Sequence, residues 1–237
     1  MTKERVLLKI SGESFGGKQN IFDRNLIYAL GEEVKSCVEI GYQIAILPGG
    51  GNIVRGDEQK ENFPELKNSD VPDYIGMLST IQNGLFLQEI LELVFKLETR
   101  VMSALDGHML YEQWIPRKAD HHLKRGRVII LVGGTANPGF STDMAMVIRA
   151  RQIHASFVLK GTKVEGIYDK DPKNCPDAVF VPQISYSEYV EKQLKIVNTP
   201  AVEQARKYQM KIRVFDLFKK GNLKRILTQN DIGSVIQ

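Results

Sequence analysis

Long apolar runs are missing from this chain. The best of them, Val128–Val132, falls far short of the ~18 residues that a membrane span needs. Near the N-terminus only Val6, Leu7 and Leu8 precede Lys9, too few for a secretory apolar region of roughly 7–15 residues. Cysteine is scarce, and Cys37 and Cys175 stand far apart with no CxxC spacing. That excludes a disulfide scaffold and leads us to expect a reduced, cytoplasmic protein. The four histidines include no HExxH. His121 and His122 lie in a polar stretch before Lys124 and read as a solvated helix end rather than a metal site. No charge of one sign dominates either: 32 Lys and Arg face 28 Asp and Glu, a net +4, and the basic residues are scattered. Such a balance admits anionic small ligands but argues for neither nucleic acid nor a membrane surface.

What is present is an alternation of strand and helix signals. At 237 residues the length allows one large domain or two small ones. No repeat, low-complexity stretch or linker divides it, so residues 1–237 read as a single domain. Strands are expected at Val6–Ile10, Ile44–Leu47, Arg100–Ala104, Val128–Val132, Phe157–Leu159, Ile212–Phe215 and Val235–Ile236. Asp23 can cap a helix with Leu26, Leu30, Val34 and Cys37 on its apolar face, closed by Gly41. Ser69 or Asp70 with Pro72 opens a long helix towards Phe95. Ser141, Thr142 and Asp143 can cap a helix to about His154. Ser185 and Glu188 form a capping box, Thr199-Pro200 opens another helix, and Asn222–Leu227 makes a turn or two. Residues 57–70 and 166–182 read as loops. Buried β runs separated by helices mean a mostly parallel sheet covered on both faces, with ligands beyond the carboxyl ends of its strands.

Four strands end in small or phosphate-friendly residues: Lys9-Ile-Ser-Gly12, Gly49-Gly-Gly-Asn52, Gly133-Gly-Thr135 and Lys160-Gly-Thr162. Glycine lets a backbone approach a ligand and aim N–H groups at anions, although it also simply turns chains. Two familiar loops fail. Gly12-x-x-x-x-Gly17-Lys18 is followed by Gln19, not the Ser or Thr of a P-loop. Gly49-x-Gly51 is followed by Val54 where a dinucleotide fingerprint needs its third glycine. Lys9 and Lys160 follow apolar strand residues, where a lysine is costly unless it meets an anion or snorkels to water. Arg55 follows the triple glycine, within reach of the same region. Asp143 is placed to orient Mg²⁺ or a lysine, or merely to cap its helix. Two lysines, an arginine and several backbone nests suit a polyphosphate and phosphoryl transfer.

The same stretches match a family over nearly the whole chain. They are Lys9-Ile-Ser-Gly-Glu13, Gly49-Gly-Gly-Asn-Ile-Val-Arg-Gly56, Asp73-Tyr-Ile-Gly-Met-Leu78, Gly134-Thr-Ala-Asn-Pro-Gly-Phe-Ser-Thr-Asp143, and Leu159 through Asp169 followed by Asp171-Pro172. The sequence resembles the bacterial uridylate kinases of the amino acid kinase superfamily. The resemblance implies an α/β fold, a three-layer αβα sandwich with a mostly parallel central sheet. It implies phosphoryl transfer from ATP to UMP with Mg²⁺, in pyrimidine nucleotide biosynthesis, usually by a homohexamer inhibited by UTP and often activated by GTP. Carried onto matching positions, Lys9, Ile10, Ser11, Gly12, Gly51, Arg55, Thr162, Tyr168 and Asp171 lie on the ATP side. Gly50, Asp73 and the segment Thr135, Ala136, Asn137, Pro138, Gly139, Phe140, Ser141 and Thr142 lie on the UMP side. Lys9, Lys160, Asp143 and Arg55 are the implied catalytic set. Two relatives in kind stay open: a superfamily kinase acting on a carboxylate or carbamate, and a catalytically weak nucleotide-binding regulator.

Several positions depart from the family pattern. Ala136, Gly139 and Ser141 replace a glycine, an aromatic residue and a threonine, and Ala136 matters if the glycine's backbone is left-handed. Asn198 stands where the family has Asp. The loop after Glu13 is about one residue short, which bears on GTP response more than on catalysis. No general base stands out among the residues. A nucleoside monophosphate needs none, because its phosphate, with a second pKa of about 6, is already largely dianionic at neutral pH.

Overall fold

The computed structural model describes residues 4–237 apart from Lys18, Asp171, Lys173, Pro176 and Asn230. Lys18, in the loop that fails as a P-loop, and Asp171, expected on the ATP side, therefore fall outside the described residues. The apolar runs form strands β1 (Arg5–Ile10), β2 (Gln43–Pro48), β3 (Thr99–Ser103), β5 (Val128–Val132), β6 (Phe157–Thr162) and β10 (Ile212–Asp216). With the short β4 (Glu112–Gln113), β9 (Gln183–Ile184) and β11 (Ser234–Ile236), they make one nine-stranded sheet. Its order is β4-β3-β5-β2-β1-β6-β10-β11-β9. All neighbours are parallel except β10 and β11. Strands buried on both faces need helices on both, and the two hydrophobic clusters divide accordingly. One joins the sheet to α1 (Arg24–Glu39), α3 (Val71–Leu93) and α8 (Asn222–Thr228). The other joins it to α4 (Pro116–Lys124), α5 (Thr142–Gln152), α6 (Tyr186–Glu191) and α7 (Thr199–Tyr208).

The caps behave largely as the sequence predicts. Asp23 accepts from the N–H groups of Asn25 and Leu26, Ser185 from Glu188, and Ser141 from Met144. On α1 the buried face is Ile27, Leu30, Val34 and Cys37, so Ile27 rather than Leu26 begins the stripe. Three expectations are corrected. Residues 57–70 are not simply a loop: they hold most of α2 (Gly56–Asn62) and a 3-10 turn at Pro64–Leu66. The stretch 166–182 holds a small antiparallel hairpin of β7 (Ile167–Tyr168) and β8 (Phe180–Val181). His122 is not solvated; it is buried between Glu112 and the guanidinium of Arg127. Among the described residues no helix is long and apolar enough to cross a membrane.

Register brings the two lysines together. Lys9 and Lys160 are direct partners across β1 and β6. In each strand the side chain two residues earlier, Leu7 and Val158, belongs to the cluster under α5. Side chains alternate along a strand, so both lysines rise from the same face towards the first turn of α5.

Candidate active site

Asp143 waits there. Ser141 performs the capping that Asp143 was one candidate for, which frees the Asp143 carboxylate to turn inward. Its Oδ2 lies 2.5 Å from the Lys160 ammonium and its Oδ1 3.2 Å from that of Lys9. The Asn198 N–H donates to Oδ2 at 3.1 Å. That N–H is itself fixed, because Tyr189 Oη accepts from Val197 N–H and donates to Val197 C=O next door. All three charged groups are buried. One carboxylate between two ammonium groups leaves one positive charge in excess, a buried arrangement that calls for an anion.

The ionisation states follow from this geometry. Burial pushes the Asp143 carboxyl upward, but Lys9, Lys160 and the Asn198 N–H outweigh it and hold the carboxyl below the ordinary aspartate range. Lys160 moves down: burial, then the neighbouring Lys9 charge, bring it from 10.5 to about 8, against the pull of Asp143.

Beside this cluster opens a cleft of about 640 Å³. Lys9, Ser11, Gly12, Gly50, Gly51, Arg55, Asp73, Gly139, Phe140, Ser141 and Thr142 all line it. The loops after β1 and β2 touch: a Cβ on Gly12 would sit 2.5 Å from Asn52 N and 2.6 Å from Gly51 N. Only glycine fits there. Asn52 and Asn83 bond each other reciprocally, and Asn83 also holds the Gly49 carbonyl at 2.7 Å, which ties the glycine run to α3. Arg55 and Lys163 both reach Glu13, at 3.3 and 2.8 Å, which links the loops after β1, β2 and β6.

On the far wall Asp73, in the first turn of α3, accepts from Lys60 at 2.9 Å and from Gly139 N–H at 2.7 Å. Burial raises its carboxyl, but Lys60 and the Gly139 N–H bring it below the ordinary range. Ala136 does adopt the left-handed conformation, with φ of 65°. Thr135, Ala136, Asn137 and Pro138 are not among the residues lining the cleft; Thr135 and Asn137 bond chiefly to each other. Ile10 is buried and offers only its main chain, whose carbonyl accepts from Gly49. Thr162 Oγ1 is engaged by Val164 and Phe215, and Tyr168 packs edge-on against Phe180 in the hairpin. Lys60, Glu13, Thr80 and the Asn52–Asn83 pair escaped the sequence reading. Only Glu13, at the end of the Lys9–Glu13 motif, and Asn52, inside the glycine motif, carried a signal.

Residues 4–216 match the model of the amino acid kinase family. The chain belongs to the amino acid kinase family. It is 41% identical over 228 residues to a uridylate kinase of Sulfurovum sp. (strain NBC37-1), covering 96% of this chain and 95% of that one. It superposes on the crystal structure of a UMP kinase from Bacillus anthracis with a TM-score of 0.94 at 30% identity, covering 99% of this chain and 96% of the other. For a UMP kinase from Ureaplasma parvum the TM-score is 0.91 at 30% identity, with both chains covered completely.

Proposed function

We propose that this protein transfers the γ-phosphoryl group of ATP to UMP, giving ADP and UDP. The observation that carries the reading is the buried Lys9–Asp143–Lys160 cluster, which meets one large cleft through Lys9. The kinship with uridylate and UMP kinases over essentially the full length supports it. A UMP phosphate oxygen forms the new bond to the γ-phosphorus as the bond to the β,γ-bridging oxygen breaks, and ADP leaves with that electron pair. No proton need be removed from the nucleophile. The barrier is repulsion between two anions, which fixed cations and alignment lower.

In this reading Lys9 and Lys160 face the transferring phosphoryl group. Asp143 holds the two ammonium groups in place. Arg55, the main chain of Ile10, and Ser11, Gly12 and Gly51 take the polyphosphate, with Thr162 and Tyr168 also on the ATP side. Gly50, Asp73 and the segment Thr135–Thr142 take UMP. Among the described residues no group of three or more His, Cys, Asp or Glu could cage a metal. The residues instead fit a Mg²⁺ carried on the nucleotide, since the buried Oδ1 of Asp143 is held only by the Lys9 ammonium at 3.2 Å and Mg²⁺ commonly takes one or two carboxylates beside phosphate oxygens. That ion would neutralise phosphate charge.

The whole chain works as one domain in this reading, since β11, beyond residue 216, joins the same sheet between β10 and β9. Val71, Tyr74, Ile75, Leu78 and Phe86 leave apolar surface exposed along α3. Such a patch suits self-association, in keeping with a homohexamer. A cytoplasmic place in pyrimidine nucleotide synthesis and inhibition by UTP at the acceptor site complete the reading. Phosphorus NMR of a mixture of protein, ATP, UMP and Mg²⁺ tests it: UDP and ADP should accumulate in equal amounts, and phosphate release without UDP would refute it.

A further inference from the structure

Arg149 lies in the interior of α5, 6% exposed. Among the described residues no carboxylate pairs with it, and burial alone lowers its guanidinium to about 10. A buried, unpaired cation is expensive, and a methionine would fill the space without that cost. What the guanidinium does hold is specific. One nitrogen donates to the Gly134 carbonyl at 2.9 Å and another to Gln152 Oε1 at 2.9 Å. Its face lies 4.8 Å from the ring centre of Trp114.

Gly133 and Gly134 are consecutive left-handed residues, with φ of 71° and 56°. They form the turn where β5 gives way to the segment 135–142. From one side Thr80 Oγ1 on α3 accepts from the Gly133 N–H at 2.9 Å. From the other side Arg149 takes the Gly134 carbonyl. The turn is thus pinned between both helical layers, and the segment it launches returns to Asp73 through the Gly139 N–H.

We propose that Arg149 is a positioning residue for the acceptor nucleotide, fixing the Gly133-Gly134 turn from behind so that the segment 135–142 meets UMP in one conformation. This rests on the reading that places that segment on the UMP side. Arg149 is not among the residues lining the cleft, whereas Gly134 is; Arg149 acts through the Gly134 carbonyl.

The test is steady-state kinetics with UMP and ATP varied separately, for the unaltered protein and for Arg149→Met, Arg149→Lys and Phe140→Ala, with thermal melts of each. A buried charged hydrogen bond is worth roughly ten- to a hundredfold in an equilibrium. Arg149→Met should therefore raise the KM for UMP about thirtyfold while the KM for ATP stays within about twofold. Arg149→Lys, which keeps one donor, should raise it about fivefold. If the two KM values move together in both variants, or only kcat falls, the inference is overturned. Should Arg149→Met fail to fold, the ratio of KM values in Arg149→Lys decides alone. Phe140→Ala separates the two claims. If it leaves the KM for UMP unchanged, the placement of the segment is wrong. If it raises that KM while Arg149→Lys does not, the placement stands and Arg149 has no part in it.

Discussion

Lys160 offers the sharpest perturbation, because pH alone makes it. Its ammonium is held at about 8 against an ordinary 10.5, a difference worth on the order of 3 kcal/mol. Below about 8 the free protein carries the charge that faces the phosphoryl group; above it the charge is lost. kcat/KM, which reports the free enzyme, should fall through an apparent pKa near 8 and lose about tenfold for each further pH unit. With both nucleotides bound, phosphate oxygens favour the charged form, so the same limb in kcat should move to higher pH. Stability moves in the opposite sense. Between about 8 and 10.5 the unfolded chain binds the proton that the folded chain has released, so this site adds stability as pH rises. At this site activity should thus decline with rising pH while the contribution to stability grows, so the melting temperature of Lys160→Met should gain on that of the unaltered protein least at high pH. The assay is coupled ADP release from pH 5.5 to 10, with UMP ionisation near pH 6 shaping the acid side. Lys160→Arg, which does not titrate in this range, should lose the alkaline limb. A kcat/KM that stays flat to pH 9.5, or a limb unchanged in Lys160→Arg, would refute the reasoning.

Lys9→Met should lower kcat/KM about a hundredfold: an ammonium about 4 Å from a phosphate oxygen at an effective dielectric near 20 contributes about 4 kcal/mol, less some desolvation. Activity within about threefold of the unaltered protein would remove Lys9 from the mechanism. Ala136→Gly relieves a left-handed alanine at some entropic cost, so thermal melts should show a gain of about 1 kcal/mol or a few degrees; a lower melting temperature would contradict this. Asn198 holds Asp143 through its backbone N–H and makes no side-chain cap. Asn198→Asp should therefore change kcat by less than about tenfold, and a larger rise would mean that a catalytic carboxylate had been lost from this position.

The sheet was legible because its main strands are short, mostly apolar runs, several with glycine or lysine at their ends. The site was legible where a motif fell on such an end: Lys9, Lys160, the triple glycine and Arg55 could be placed from sequence. What escaped depends on tertiary contact. α2 reads Gly-Asp-Glu-Gln-Lys-Glu-Asn, with no apolar stripe to signal a helix, so Lys60 and its pairing with Asp73 were invisible. β7 and β8 are two residues each amid aspartates and prolines, too short for alternation to register. Asp143 had two readings open until register placed both lysines on the α5 face and Ser141 took the cap. Nothing in the sequence distinguishes Arg149 from other basic residues, since only the fold sets it against Gly134 and Trp114.

The identity of the acceptor is the most direct test of the proposed reaction. ATP consumption with Mg²⁺ should be measured with UMP, CMP, aspartate, glutamate and carbamate offered in turn. A site that hydrogen-bonds one base rejects the wrong one by orders of magnitude, because its polar groups are left unpaired. UMP should be turned over and CMP at least about a hundredfold more slowly, with no turnover of the carboxylates or carbamate. Equal turnover of UMP and CMP, preference for a carboxylate or carbamate, or no turnover of any acceptor would contradict it.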